Sequence, residues 1–287
     1  AAGRSRSGYT CGWGTLMPTS TIGGVTLSVA SLTDVGLRRS HNEDAALAIP
    51  PLLIVADGMG GYEAGDLAAN AIVAAFEATV DAGVPTTLDA LRDALGAADD
   101  AVAEVADATT RGAGATVAGA AMILHEGTPS WVFFNVGDAR VYRHRGSTLQ
   151  QVTVDHSLGQ ELYAAGRISA EELAVFPDRN VVTRAMGATD SRADSWVAPV
   201  MHGERILVCS DGLPTEVPDE VIRATMTSTG GAAATAAALV ALARRAGARD
   251  NVTVVIADVV AGGMATDEHE GHDGFFLDET TEPARRR

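Results

Sequence analysis

The stretch Leu52-Leu53-Ile54-Val55-Ala56-Asp57-Gly58-Met59-Gly60-Gly61 begins as an apolar run and ends on a carboxylate followed by glycines. A short apolar run closed by glycines has the length of a buried strand. Glycine allows backbone angles that other residues avoid, and it lets a ligand approach the main chain. The end of this strand is therefore either a site for a hard cation, made by Asp57 and bare carbonyls, or an ordinary Asp-Gly turn.

The same pattern of an apolar run with an aspartate at its end recurs three times. Residues 205–212 and 131–138 each carry the aspartate at the end of the run, and Asp250 stands directly before the run at 251–256. Four aspartates at strand ends are hard to explain as four independent turns. If these ends lie on one side of a sheet assembly, the side chains make an oxygen-rich metal pocket of Asp57, Asp138, Asp211 and Asp250.

The composition is that of a folded globular chain without basic character. At 287 residues, with 46% hydrophobic and 20% charged residues, the chain is long enough for one large domain or two small ones. Its formal net charge of −16 argues against a nucleic-acid partner, which needs basic surface to displace counterions. The sequence contains no lysine, which excludes the phosphate loop of P-loop proteins and the strand lysine of protein kinases.

Neither cysteine chemistry nor a membrane span is indicated. Cys11 and Cys209 are too few for a disulfide framework or a zinc ribbon. The catalytic loop of cysteine phosphatases has an arginine six residues after the cysteine, but the residue six positions after Cys209 is Thr215. No apolar stretch is typical of a signal peptide or long enough to cross a bilayer. We therefore expect a soluble, cytoplasmic protein.

Composition and periodicity divide the chain into three parts. Residues 1–24 are rich in glycine, serine and threonine without a period, which predicts a flexible leader. Residues 25–261 carry the apolar strands and helix stripes of a folded domain. Within that domain, at about residues 155–189, short helices interrupt the antiparallel strands, as a lid or recognition element does. Residues 262–287 are acidic and predict a disordered tail.

A dense polar cluster at residues 36–44 lies between two predicted strands. It is either a solvated hairpin loop or a phosphate-binding Arg39 beside Glu43 and Asp44. The planar fork of an arginine matches phosphate oxygens. The strand-end aspartates and the Gly58 carbonyl offer only hard oxygen ligands, which suit Mg²⁺ or Mn²⁺ better than zinc. Two such cations sharing an aspartate would activate a water and clamp a phosphoryl group.

Five motifs in this order resemble those of the PP2C family of metal-dependent protein serine/threonine phosphatases, and of its bacterial branch in particular. They lie at residues 39–44 (RSHNED), 56–61 (ADGMGG), 136–140 (VGDAR), 209–213 (CSDGL) and 249–253 (RDNVT). Each motif is weak alone, but five in one order are specific. The similarity runs from about residue 25 to about residue 260.

This resemblance implies an α+β fold, a four-layer α-β-β-α sandwich in which helices flank two central antiparallel sheets. It implies an enzyme that hydrolyses phosphoserine and phosphothreonine with a water or hydroxide activated by a binuclear Mn²⁺ or Mg²⁺ centre, with a third, weaker cation. The implied partners are phosphoproteins, including serine/threonine protein kinases or their substrates. A monomer without nucleic-acid or membrane partners is the expected state.

The resemblance also assigns roles to individual residues. It implies that Asp57 bridges the two metals, that Asp211 and Asp250 hold one of them, and that the Gly58 carbonyl touches the other. Asp138 matches the ligand of the third metal, and the segment at about residues 155–189 matches the family's flap. The catalytic residues are then Arg39, Asp57 and Asp211, and the acids that hold metal-bound waters are Glu43 and Asp44.

Two positions depart from the family pattern. Met59 stands where animal members carry a histidine proposed as the general acid, and Tyr62 stands where bacterial relatives often have one. The acid that protonates the leaving group therefore stays open, with a metal-bound water as the alternative. The rival functions are a catalytically weak pseudophosphatase or phosphoprotein-binding module of the same fold, and an acidic Ca²⁺-binding module.

Overall fold

The computed structural model describes residues 15–16, 19–60, 64–110, 112–265 and 276–277, the first and last pairs by their backbone alone. These residues form two antiparallel sheets packed face to face, with helices on the outer side of each sheet. The α+β fold with four layers, predicted from the resemblance, is confirmed.

The strands of each sheet follow a fixed spatial order. The first sheet runs β1 (Thr15–Leu16), β3 (Val25–Asp34), β12 (Val252–Ala261), β11 (Arg205–Cys209), β8 (Arg140–Arg145) and β9 (Thr148–Gln151), and β2 (Ser20–Ile22) also pairs with β3. The second sheet runs β13 (Phe276–Leu277), β10 (Asp194–Pro199), β7 (Thr128–Val136), β6 (Gly114–His125), β5 (Leu52–Met59) and β4 (Asp44–Ile49). The pairing is antiparallel in both sheets.

The helices form the two outer layers. The second sheet is covered by α1 (Ala64–Thr79) and α2 (Leu88–Asp107), and the first by α5 (Gly212–Glu216), α6 (Asp219–Ser228) and α7 (Ala232–Ala246). Two further helices, α3 (Leu158–Ala164) and α4 (Ala170–Val175), lie in the segment predicted as the flap. Among the described residues, no helix combines the length and the apolar content that a bilayer crossing requires.

The apolar run of β5 is continuous because this strand is buried on both faces. Leu53 and Val55 pack in the core between the two sheets. Leu52, Ile54 and Ala56 pack on the other side, against α1 and α2. Successive side chains of a strand point to opposite faces, so a strand between two apolar layers needs apolar residues at every position. The core between the sheets therefore fixes which way each residue at the end of β5 points.

The structure differs from the predicted leader and tail at their inner ends. Ser20–Ile22 forms β2, and Ile22 is buried in the core between the sheets. Gly23 and Gly24, both at positive φ, make the two-residue turn into β3. At the other end, Met264 forms a bridge with Met201. Residues 1–14, 17–18, 266–275 and 278–287 lie outside the described residues. The division into leader, domain and tail stays a prediction.

Candidate functional site

The strand ends of the two sheets meet in the gap between them. Along β5, Leu53 and Val55 point into this gap, and the two-residue repeat of a strand places Asp57 on the same side. In the neighbouring strand β4, Asp44 stands directly opposite Asp57. From the other sheet, Ser210 follows β11, and its hydroxyl donates to Asp44 Oδ2 at 2.8 Å. This hydrogen bond joins the two sheets at the site.

Three more aspartates reach the same gap. Asp138 follows β7, Asp211 follows β11, and Asp250 precedes β12. The charges of all three, and that of Asp44, lie near enough to raise the pKa of Asp57. The structure thus brings together the four aspartates that the sequence places at strand ends.

Crowding and burial raise the pKa values of these carboxyls. Burial is the main cause of a pKa of about 7 for Asp44 and of about 8 for Asp138. Burial, followed by the charges of Asp44 and Asp211, raises the pKa of Asp57 well above its usual range. The pKa of Asp211 is raised by burial and then by Asp250. A bound cation would favour the charged form of all these acids.

The donor set fits a hard divalent cation. Its members are carboxylates together with the main chain at Gly58. The Gly58 N–H donates to the backbone carbonyl of Glu43 at 3.1 Å, which holds Glu43 beside the end of β5. Glu43 Oε1 and Asp44 Oδ1 are buried without a hydrogen-bond partner among the described residues. Among the described residues, no group of three or more aspartate, glutamate, histidine or cysteine side chains is arranged so that it could hold a metal ion by itself. A cation here would complete its coordination with waters, as Mg²⁺ commonly does, and the two free oxygens could accept from such waters.

Arg39 lies beside the aspartates because Asn251 anchors its loop. The side chain of Asn251 is buried, accepts from Glu43 N–H at 2.8 Å, and donates to the carbonyls of Val35 at 3.0 Å and His41 at 2.9 Å. Arg39 Nη2 then donates to Asp250 Oδ2 at 2.6 Å, while 49% of the arginine side chain stays exposed. The hydrogen bond from Arg39 to Asp250 raises the pKa of the guanidinium. A permanent cation thus stands at the open side of the acidic cluster.

Two glycines allow the backbone to pack tightly around the site. A Cβ atom at Gly58 would collide with the carbonyl of Gly65 in α1, and one at Gly212 would collide with the carbonyl of Asn251. The end of β5 therefore packs closely against α1, and the start of α5 packs closely against the turn that carries Asp250. The glycines of the two Asp-Gly pairs are therefore required by close packing, in addition to any role in binding.

The flap segment borders the acidic cluster. A small cavity is lined by Asp138 and Asp211 on one side and by Arg179 and Asn180, from the segment after α4, on the other. Met59 is 36% exposed and pairs with Gly114 of β6 in the strand register. Tyr62, the second position that departs from the family pattern, lies outside the described residues. Of the two positions only Met59 is described, and its side chain has no acidic proton to donate.

Cysteine chemistry is not supported at this site. Cys209 is a free, fully buried thiol in β11, and burial raises its pKa far above the usual value. A reactive cysteine has the opposite properties, a lowered pKa and access to solvent. Cys11 lies outside the described residues.

Sequence reasoning did not single out two residues that build the site. Ser210 joins the sheets through Asp44, and its Oγ also accepts from Thr253 N–H at 3.0 Å. Asn251 fixes the loop of Arg39. Both stand next to predicted aspartates inside the motifs at 209–213 and 249–253. A polar residue that interrupts an apolar strand end beside a candidate ligand is the signal that could have revealed them.

The raised pKa values predict how the stability of the metal-free protein depends on pH. An unfolded aspartate titrates near pH 3.9, so between about pH 4 and pH 8 the folded state binds more protons than the unfolded state. The stability contributed by protonated Asp44 and Asp138 is complete below the unfolded pKa and is lost as the pH rises through about 7 and 8. We expect the melting temperature in chelator to fall between about pH 5.5 and pH 8.5 by at least roughly 2–4 °C, or about 1 kcal/mol.

Calorimetry of the metal-free protein across this range measures the effect. Asp138→Asn removes one of the titrating groups and should flatten the curve, whereas Asp89→Asn, at a residue whose side chain is 89% exposed on α2, should leave it unchanged. A melting temperature that rises steadily with pH in wild-type protein would contradict the proposed protonation of the cluster.

Comparison with known proteins places these features in a family. A family model described as protein phosphatase 2C matches residues 38–232. The serine/threonine protein phosphatase PstP of Mycobacterium tuberculosis is 36% identical over 234 residues, which cover 82% of this chain and 45% of PstP. The serine/threonine phosphatase stp of Listeria welshimeri is 32% identical over 240 residues, covering 79% of this chain and 93% of stp. The chain thus spans about half the length of PstP and nearly the whole of stp.

Solved structures agree with the sequence relatives. The crystal structure of the Mycobacterium tuberculosis phosphatase PstP/Ppp has a TM-score of 0.75 and 34% identity, and the alignment covers 82% of this chain and 99% of that chain. The catalytic domain of PstP in complex with two manganese ions has a TM-score of 0.71 and 33% identity, with the same coverage of 82% and 99%. With a matching family model, bacterial relatives above 30% identity and a shared fold, the chain belongs to the bacterial branch of the protein phosphatase 2C family.

Proposed function

We propose that this chain is a metal-dependent phosphatase that hydrolyses phosphoserine and phosphothreonine residues in proteins. The observation that carries the proposal is the meeting of four strand-end aspartates with Arg39, a permanent cation at their open side. The relatives named as serine/threonine phosphatases, and the manganese in the PstP structure, support it.

Two Mn²⁺ or Mg²⁺ ions are the proposed cofactors, and Asp57 is the proposed bridge between them. When bound, such a pair of ions lowers the pKa of a water that attacks phosphorus and neutralises charge on the phosphoryl oxygens. Asp211 and Asp250 would hold one ion and the Gly58 carbonyl would contact the other. A third ion at Asp138 would have few protein ligands, so it should bind more weakly.

The chain's own groups would orient the substrate and the waters. Glu43 Oε1 and Asp44 Oδ1, which lack partners among the described residues, would accept hydrogen bonds from waters in the site. Arg39 would turn its half-exposed guanidinium to the phosphate, where its two parallel N–H groups could donate to two of the phosphate oxygens. Met59 has no proton to donate, so a water is the proposed acid for the leaving group.

The rival functions account for less of the site. A pseudophosphatase would be expected to lack one or more of the acids, yet all of the proposed metal acids are present. A calcium module would not explain Arg39 or its anchoring through Asn251. The proposed substrates are phosphoproteins, among them serine/threonine kinases or their substrates. The monomeric state and the cytoplasmic location stay predictions from the sequence.

Phosphate release from a phosphothreonine peptide tests the proposed function. After removal of metal, the full chain should release no phosphate, should become active when Mn²⁺ is added, and should stop again with excess chelator. A phosphotyrosine peptide of the same sequence serves as the specificity control. Full activity in chelator would contradict metal dependence, and binding of the peptide with Mn²⁺ but without release would favour the pseudophosphatase.

Arg39→Ala tests the proposed phosphate contact. Because the guanidinium would bind phosphate in both the ground state and the transition state, we expect KM to rise by about tenfold while kcat changes little. Arg38→Ala, the same change at the neighbouring exposed arginine, should leave both constants near wild type. A collapsed kcat with an unchanged KM in Arg39→Ala would assign the residue a different role.

A further inference from the structure

The turn that carries Asp138 is fixed by packing on one side. Gly137, between the end of β7 and Asp138, has φ of +101°, a conformation that favours glycine. A Cβ atom there would collide with the side chain of Thr116 on β6. Asn135 Nδ2 donates to the Gly137 carbonyl at 3.0 Å and to the Val154 carbonyl at 2.9 Å. The turn therefore has little freedom toward the second sheet.

On the other side, one histidine satisfies both polar backbone groups of Gly137. The backbone N–H of His156 donates to the Gly137 carbonyl at 2.8 Å. The N–H of Gly137 donates to His156 Nδ1 at 3.1 Å. His156 is only 4% exposed, so water does not compete freely for these bonds. The His156 side chain thus holds the Val136–Gly137 peptide, and the His156 backbone holds the Gly137–Asp138 peptide that follows it.

The same histidine is tied to the far end of the flap segment. Because Nδ1 accepts from Gly137, the ring hydrogen of the neutral imidazole is on Nε2, which donates to Asp194 Oδ2 at 3.2 Å. Arg184 Nη1 lies 3.3 Å from the same Nε2 atom and, as a second donor, makes no hydrogen bond to it in this tautomer. Arg184 Nη1 donates to Asp194 Oδ1 at 3.0 Å, and the His156 carbonyl accepts from Thr183 N–H at 2.9 Å. His156 therefore joins both ends of the segment that contains α3 and α4 to the turn of Asp138.

We propose that His156 is a positioning residue that holds the Asp138 turn through its Nδ1 atom and couples that turn to the flap. The inference rests on the proposed function, because Asp138 is there the ligand of the third, weaker cation. An acceptor lost at Nδ1 would leave the buried Gly137 N–H without a partner and would free the Val136–Gly137 peptide to rotate, which loosens the turn that carries Asp138. Groups that orient a ligand in this way commonly change metal affinity by about 10–100-fold when they are removed.

Two substitutions separate the two bonds of the imidazole. In His156→Asn the amide oxygen lies where Nδ1 lies, so the bond from Gly137 N–H can be kept while the link to Asp194 is lost. In His156→Gln the amide reaches the position of Nε2, so the link to Asp194 can be kept while the acceptor for Gly137 is lost. His144, a second buried histidine that contacts Thr227 on α6, provides the matched controls His144→Asn and His144→Gln.

The first measurement is hydrogen exchange of the Gly137 amide in the metal-free full chain. We expect its protection to be retained in His156→Asn and to fall by at least about tenfold in His156→Gln, with no change in the His144 variants. Protection that stays at the wild-type level in a folded His156→Gln would overturn the proposed role. If His156→Gln does not fold, loss of protection in a folded His156→Asn would overturn it equally.

The second measurement is Mn²⁺ binding by calorimetry, with phosphate release as a function of Mn²⁺ concentration. His156→Gln should keep the tight binding and weaken the weak class by about tenfold or more, and it should need correspondingly more Mn²⁺ for full kcat. His156→Asn should stay within about twofold of wild type. Equal Mn²⁺ dependence in all three proteins would contradict the proposal. Wild-type protein that binds no Mn²⁺ would refute the proposed function, and the exchange measurement would then decide the role of His156.

Discussion

Asp57→Asn is expected to lower the turnover of a phosphothreonine peptide by at least about 10³-fold, which corresponds to roughly 4 kcal/mol of barrier. Asp57 stands opposite Asp44 in the strand register and lies within the electrostatic reach of Asp138, Asp211 and Asp250. An amide in its place keeps the shape but removes the charge and one strong acceptor. A residue shared between two cations cannot lose that charge without weakening both sites.

The fold should survive this change, because the amide relieves repulsion among crowded carboxyls. We therefore expect Asp57→Asn to melt in chelator at or above the temperature of wild type. Asp89→Asn on α2, the same chemical change at an exposed site, should leave turnover unchanged. Turnover near the wild-type rate in a folded Asp57→Asn would remove Asp57 from the proposed centre.

Asn251→Ala is expected to lower the free energy of unfolding by about 2–4 kcal/mol, a fall in melting temperature of roughly 5–15 °C. The buried amide of Asn251 makes three hydrogen bonds to the main chain of the Arg39 loop, at Val35, His41 and Glu43. Alanine would leave these groups buried without partners. The loop would then no longer hold Arg39 beside Asp250, so KM for the peptide should rise as well.

Urea unfolding together with steady-state kinetics measures both effects. Asn70→Ala, which removes a single exposed bond from Nδ2 to the Asp66 carbonyl in α1, is the matched control and should cost well under about 1 kcal/mol. A stability of Asn251→Ala within the error of wild type would show that the loop is held by other contacts.

The four strand-end aspartates could be predicted because strand periodicity is a local property of the sequence, whereas the four-layer fold was predicted from the family resemblance. The apolar run before Asp57 requires a strand buried on both faces, and the structure has one there, between the core of the sheets and the helices α1 and α2. The strands β5 and β7 run in the same direction on either side of β6, so Asp57 and Asp138 lie at one edge of the second sheet. In the first sheet β11 ends where the antiparallel β12 begins, which brings Asp211 close to Asp250. The sequence pattern therefore identifies the four residues, whereas the strand order that brings them together is a property of the fold.

Contacts between distant segments could not be predicted in the same way. Asn251, Ser210 and His156 are polar side chains whose partners lie 19 to 216 residues away in the chain. Helix periodicity alone would place Leu67 on the same apolar face of α1 as Ile72 and Phe76, yet Leu67 is 52% exposed while the other two are buried. The strand at Ser20–Ile22 did carry a local signal, the Gly-Gly pair of a tight hairpin.

A crystal structure of the full chain grown with Mn²⁺ decides whether the aspartate cluster is a binuclear metal centre. Anomalous scattering at the manganese edge identifies each ion without assumptions about its ligands. We expect two strong peaks that share the Asp57 carboxylate, one also at Asp211 and Asp250 and the other at the Gly58 carbonyl, with a weaker third peak at Asp138. Manganese bound elsewhere, with no peak in contact with Asp57, would show that the cluster is not the metal centre.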